Sequence, residues 1–352
     1  MIGPDVALPL PWLGDALARG RAQRAHALLI HGPDGVGQFE LALALAQAWL
    51  CEDDAAPVRP CGRCTGCRQV QARQHPDMRL VVPAALRESL VGADADEVDG
   101  DAEPTGAGRS KARPSREIRV DEIRQAIAWT QTTASRGRAK VLVLHPASAM
   151  NVVAANALLK TLEEPPGDVR LLLTCGDPEL LLPTIRSRCQ RLALALPPRD
   201  VALDWLAGQG VADAEVLLEA AGGRPQQAVA LRDEGFDAAR WTRVPKAVAA
   251  ADASVLAGCS VARAVDVLHK LCHDLMAQAA GAAPRFFPRD ALPPGASWPA
   301  LAAWSKTLVR TARHDEHPWN APLLVESLVL EGQRCLTPPT RRRGGAATLA
   351  AR

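Results

Sequence analysis

The chain has 352 residues, 48% of them hydrophobic and 23% charged, with a formal net charge of +2 and nine cysteines. That length calls for two or three domains, each able to bury its own core, and the near-neutral charge excludes a global field that would make nucleic acid or membrane the main partner. No run of about 18 apolar residues is present and the N-terminus has neither a basic start nor an apolar core of signal length, so a cytoplasmic chain with no membrane partner is expected, its cysteines reduced and available for metal.

In chain order, a short helix precedes the apolar strand Ala27 to Ile30, a glycine-rich turn from Gly32 to Gly37, and an apolar helix to about Leu50. A cysteine cluster follows between residues 51 and 67, and then "MRLVVP" reads as a strand ending at Pro83. From about 87 to 116 apolar residues are sparse and Gly, Asp and Ala dominate, which predicts a mobile surface insertion. Val120, Ile123, Ala126 and Ile127 recur at helical spacing, predicting a helix over about 121–135 with Asp121 and Glu122 at its positive end. "AKVLVLH" (Ala139 to His145) and "VRLLLTC" (Val169 to Cys175) are buried strands flanking a helix from Asn151 that the double proline at 165–166 stops. Strands alternating with helices at this spacing predict an α/β domain built on a doubly wound parallel sheet, with ligands at the carboxyl ends of its strands, where the Gly32 loop lies.

Beyond "RLALALPPRD" (Arg191 to Asp200) the strand signal ends. The expected layout is an α/β domain over 1–195, a small helical domain over 196–240, and an all-helical domain over 241–336 in which Trp298, Leu301, Trp304 and Leu308 form one apolar stripe. The tail 337–352, with three consecutive arginines, is expected to be disordered.

The glycine turn matches the phosphate-loop template G-x-x-x-x-G-K-[ST] at Gly32, Gly35 and Gly37 and departs from it at Gln38 and Phe39. In a working loop the lysine neutralises the β and γ oxygens and the hydroxyl ligates magnesium. A unit charge pair at 4 Å is worth roughly 4 kcal/mol at an intermediate dielectric; Gln38 forfeits it, Phe39 cannot bind a cation, and Asp34 adds a negative charge to the loop. A hydrolase of this architecture also needs a carboxylate at the end of the strand over 141–144, where this chain has His145-Pro146-Ala147-Ser148. No intrinsic ATPase and no ATP in the chain's own site are therefore expected, although the amides could still hold phosphate weakly.

Cys51, Cys61, Cys64 and Cys67 read C-x9-C-x2-C-x2-C. Thiolates at that spacing can converge on one ion and close the tetrahedral shell of structural zinc, with Gly62 and Gly66 permitting the turns. An iron-sulfur cluster and free thiols are the alternatives, and His75 could replace one cysteine, though "HPD" reads first as a turn. Arg186 and Arg188 in "PTIRSRCQ" would share a side if that segment is extended, and an isolated Arg186 reads as one half of a surface ion pair. The other five cysteines read as core or surface thiols.

"NALLKTLEEPP" (Asn156 to Pro166), the strand "LLLTC" and "TIRSRC" (Thr184 to Cys189) together resemble the clamp-loader branch of the AAA+ ATPases. The cysteine module, and "HALLIHG" before the loop, narrow the resemblance to subunits of the bacterial DNA polymerase III holoenzyme. The motor subunit of that complex has the module but keeps the lysine, the Ser/Thr and an acidic pair, so this chain resembles a non-motor subunit. The resemblance is specific over most of residues 1–240; from 241 onward only helical character and length agree. It implies a structural, non-hydrolysing part of a complex that loads a sliding clamp on primed DNA. The implied partners are the motor subunits and the delta subunit directly, and the clamp and DNA through the complex. It also implies that Arg188, in Ser187-Arg188-Cys189, is an arginine finger reaching the nucleotide of a neighbouring subunit, where a donated cation stabilises the transferring phosphoryl group. The last domain would be the oligomerising collar, and Lys160, Glu163 and Glu164 would lie near an interface. Arg224 sits near the position of the nucleotide-sensing arginine, with Pro225 directly after it. Two rival functions are an active loader ATPase and a zinc-dependent DNA-binding module, the latter supported by Arg63, Arg68 and Arg73 beside the cysteines.

Overall fold

The computed structural model describes residues 1–5, 7–56, 58–91, 114–313 and 320–336. Its elements are α1 (Gly14–Ala22), β1 (Ala27–His31), α2 (Gln38–Trp49), α3 (Thr65–Gln71), β2 (Met78–Val81), α4 (Ala84–Val91), α5 (Val120–Thr130), β3 (Lys140–Leu144), α6 (Val152–Glu163), β4 (Val169–Cys175), α7 (Pro183–Arg186) and β5 (Gln190–Ala193). Seven helices follow: α8 (Arg199–Gly208), α9 (Ala214–Ala220), α10 (Pro225–Asp233), α11 (Ala238–Ala249), α12 (Val261–Ala279), α13 (Trp298–Ala312) and α14 (Ala321–Leu336). Among the described residues no helix is long and apolar enough to cross a membrane.

The five strands form one parallel sheet in the order β2-β3-β4-β1-β5. Because side chains alternate across a strand, the continuous apolar runs feed two separate cores. Leu28, Ile30, Val141, Val143 and Leu172 pack under α1 and α2 with Leu17, Leu41 and Leu45. Leu29, Leu142, Leu144, Leu171 and Leu173 pack on the other face with Ile123 and Ala126 of α5 and Leu158 and Leu162 of α6. Each fully buried leucine contributes about 2 kcal/mol by leaving water, so covering both faces with helices is what makes uninterrupted hydrophobic strands tolerable. The first helix turns are fixed locally: Asn151 Oδ1 accepts from the Ala154 N–H at 2.9 Å, and Glu122 Oε2 from the Arg119 N–H at 2.8 Å.

Two compact units divide at 205/206. In the second unit the buried indoles of Trp241 and Trp304 anchor the helices. Trp304 Nε1 donates to the Leu328 carbonyl at 3.0 Å, and a side chain at Gly332 would collide with the same ring at 2.6 Å.

Three expectations need correction and one open condition is resolved. The helix over 121–135 ends at Thr130, because the buried Asp77 carboxylate takes the Ser135 and Arg136 N–H groups at 2.7 and 3.0 Å and fixes the following residues as a turn. The insertion expected from 87 begins with helix, since α4 continues to Val91 on a run of good helix formers, Ala84-Ala85-Leu86-Arg87-Glu88. Most of the rest of that insertion, and the tail, lie outside the described residues. Trp298 leaves the apolar stripe: it starts α13 at 50% exposure while Leu301, Trp304 and Leu308 are buried. The segment holding Arg186 and Arg188 is not extended, as α7 ends at Arg186, and proline at its first position pre-sets the helical turn.

Candidate functional site

The Gly32–Gly37 loop leaves the carboxyl end of β1 and enters α2, lying between the ends of β4 and β5, the two neighbours of β1. A Cβ on Gly32 would sit 2.3 Å from the Leu194 carbonyl oxygen beyond β5, and one on Gly37 (φ 102°) 2.5 Å from Leu10. Both glycines are thus demanded by the packing of the loop itself, whether or not phosphate is present.

Gln38 does not reach out over the loop. Its side chain is 6% exposed, and its Nε2 donates to the carbonyls of Gly32 at 2.5 Å and Pro33 at 2.9 Å. The amide therefore ties the turn to itself from within.

Phe39, also 6% exposed, packs on His145 with ring centroids 4.6 Å apart and planes at 37°. The Arg73 guanidinium lies over the same phenyl ring, 5.4 Å from its centroid. His145 Nδ1 is 2.7 Å from Thr174 Oγ1, whose hydroxyl is 3.3 Å from the Leu144 carbonyl. Burial pushes the His145 imidazole down to about 4, so it is neutral near pH 7. The two departures noted in the sequence, at the first turn of α2 and at the end of β3, thus meet in one packed cluster that spans β4 through Thr174. Thr174 and Arg73 were not singled out in this role; a threonine inside the apolar strand "LLLTC" was the one available signal.

Arg188 follows α7 at the surface. Its Nε donates to Glu163 Oε1 at 2.6 Å and its Nη1 to the Thr184 carbonyl at 3.0 Å and Ser187 Oγ at 3.4 Å. The structure thus joins the end of α6 to the arginine through Glu163, while Lys160 and Glu164 are exposed beside it. Arg186 pairs with Glu179, as read from its isolation. Arg224 donates from Nε to the Ala221 carbonyl at 2.7 Å, holding its own backbone turn before α10.

The thiols of Cys51, Cys61, Cys64 and Cys67 lie within 4.8 Å of one another and could hold a metal ion. The Cys61–Cys67 sulfurs are 3.9 Å apart and the Cys64–Cys51 sulfurs 4.0 Å. Four amides point at them: Glu52 and Cys67 to Cys64 Sγ and Cys64 to Cys61 Sγ at 3.4 Å, and Cys61 to Cys51 Sγ at 3.5 Å. Such donors stabilise thiolates, and the α3 N-terminus lies among them. His75 stays out of the cluster; its Nδ1 accepts from the Asp77 N–H at 3.0 Å, the turn its sequence suggested. Cys175, Cys189, Cys272 and Cys335 are buried core thiols and Cys259 is half-buried.

The model of the family described as "DNA polymerase III, delta subunit" matches residues 13–198. A DNA polymerase III subunit delta' of Pseudomonas aeruginosa is 40% identical over 220 residues, which is 61% of this chain and 58% of the relative. The delta' subunit of Escherichia coli is 34% identical over 229 residues, 63% of this chain and 60% of the relative. The tau subunit of Escherichia coli is 34% identical over 182 residues, 52% of this chain and 23% of the relative. The matches therefore span about three fifths of the length of the two delta' relatives.

Proposed function

The chain belongs to the DNA polymerase III delta-subunit family, in its delta' branch, and on that premise we propose that it is a structural, non-hydrolysing subunit of a clamp-loader complex that completes a neighbour's ATP site with Arg188. The observation that carries this reading is Gln38 folded back on the Gly32 and Pro33 carbonyls beside a Phe39–His145 contact. The cation, the hydroxyl and the carboxylate that phosphoryl transfer requires are each replaced by a group with a packing role.

Arg188 suits the opposite task. A guanidinium presents donors in a fixed fork that matches phosphate oxygens, and here Glu163 and the Thr184 carbonyl hold that fork at the surface. A half-exposed ion pair is worth only about 0–1 kcal/mol, so a neighbour's phosphates can replace Glu163 as the partner. The proposed partners are the motor subunits and the delta subunit, with clamp and primed DNA met through the complex. The lid over 196–240 and the collar over 241–336 are proposed assignments within the helical part of the chain.

The cysteine cluster fits structural zinc. Sulfurs about 2.3 Å from a tetrahedral zinc are separated by roughly 3.8 Å, close to the 3.9 and 4.0 Å found here. Cys51, Cys61, Cys64 and Cys67 would fill all four positions, leaving none for a substrate, so the metal would fix the module and take no part in chemistry.

The test is an assembly of this chain with motor and delta subunits. Arg188→Ala should slow hydrolysis at the facing site by about 10³-fold, read as lost clamp-stimulated turnover in complexes of unchanged composition. Equal turnover across a full titration of clamp and primed DNA would remove the finger assignment.

A further inference from the structure

At the opposite edge of the sheet, where β3 and β4 begin, lies a polar cavity of about 450 Å³. Four arginines from four separate segments line it: Arg21 at the end of α1, Arg59 in the cysteine module, Arg138 before β3, and Arg170 in β4. Trp49 and Asp168 complete the part of the wall that matters here. The Gly32 loop, His145 and Arg188 belong to the carboxyl edge, so this cavity is separate from the nucleotide loop.

Two of the arginines are fixed by the module. Asp54 pairs with both Arg59 and Arg138, Arg59 Nε donates to the Asp53 carbonyl at 3.2 Å, and Arg138 Nη2 donates to the Glu52 carbonyl at 3.3 Å. Arg170 is 3.5 Å from Asp168 and lies over the Trp49 ring, 5.3 Å from its centroid. Arg21 is exposed and makes no hydrogen bond or ion pair with another described residue. Four guanidiniums thus face two carboxylates, Asp54 and Asp168, an excess of two positive charges. A guanidinium carries five N–H donors, and the contacts above leave several of them on these four residues unclaimed.

An excess of two charges and forked donors held in place are the requirements of a ligand that carries phosphate. We infer that this cavity is a second phosphate-recognising site, independent of the degenerate loop and of the clamp-loader reading. A mononucleotide and a nucleic-acid strand offer the same phosphate chemistry, so both serve as probes.

The experiment is fluorescence anisotropy of the full-length chain with a labelled single strand of about 12 nucleotides and, separately, a labelled ATP. Inorganic pyrophosphate is the competitor. Binding should weaken steeply with salt, because phosphate contacts release counterions. Arg21→Glu, at a residue with no hydrogen-bond or ion-pair partner among the described residues, cancels the excess and should weaken binding about tenfold or more. Arg310→Glu on α13, an equal change in net charge far along the chain, should leave it unchanged. Binding of either probe with this variant pattern, displaced by pyrophosphate, supports the site, and the stronger probe identifies the source. Equal behaviour of the two variants, or no binding of either probe at about 20 mM salt, overturns it.

Discussion

His145 stands at the end of β3, where a hydrolase of this architecture would need a carboxylate. Enclosed between Phe39 and Thr174, its imidazole titrates near 4, below the ordinary value of about 6.5. Between those two pH values the unfolded chain takes up a proton that the folded chain refuses, so stability is complete above about pH 6.5 and is lost as pH falls toward 4. From pH 7.5 to about pH 5 this one group should remove about 2 kcal/mol. His145→Gln should flatten that part of the profile, read as the shift in urea midpoints at the two pH values against the parent chain; parallel profiles would deny the histidine its role. The sequence made Gln38, Phe39 and His145 legible as departures from the phosphate-loop pattern. It could not make them legible as partners, since no periodicity links the first turn of α2 to the end of β3, and only the order of strands brings them together.

The elements were more readable than their ends. The three central strands, β3, β4 and β1, are short apolar runs because both their faces are covered, and that pattern survives in one dimension. The end of α5 is different: it is set by Asp77, a residue distant in sequence whose carboxylate captures Ser135 and Arg136. The cysteine module was visible from spacing alone, while its fastening to the rest was not. Gln71 Nε2 donates to the Ile2 and Gly62 carbonyls at 2.7 and 2.9 Å, and Arg136 pairs with Glu52. Chelation should release about one zinc per chain and speed exchange of the Glu52, Cys61, Cys64 and Cys67 amides by about 10²-fold, the expected signature of local opening. The sheet amides of β1 and β4 should keep their protection. A folded, metal-free chain with those four amides still protected would make the cluster a set of structural thiols.

At the scale of the molecule, a candidate site was legible where residues close in sequence come together, as in the cysteine run, and illegible where distant segments converge. The arginine cavity draws on α1, the cysteine module, the turn before β3 and β4, and each arginine alone reads as a surface charge. Nor did composition warn of it, since a net charge of +2 hides a local excess. For the chain as a whole the clamp-loader proposal predicts no ATP turnover by the purified protein and, by calorimetry, no micromolar binding of Mg-ATP that a Gly37 substitution abolishes. Measured turnover would reinstate the active-ATPase alternative.

The Phe39–His145 contact also bears on history. Writing lysine and threonine back at 38 and 39 restores the letters of a working loop, but it empties a phenyl ring's volume beside a buried imidazole and unties the amide that closes the turn. Truncating a buried phenylalanine costs about 3–5 kcal/mol, a large part of a typical domain's stability. Gln38→Lys/Phe39→Thr should therefore give a chain that unfolds at lower denaturant and still does not turn over ATP. On the proposed non-hydrolysing reading the change works as a ratchet: each tooth is a core contact, and reversal requires rebuilding the neighbours before the catalytic letters.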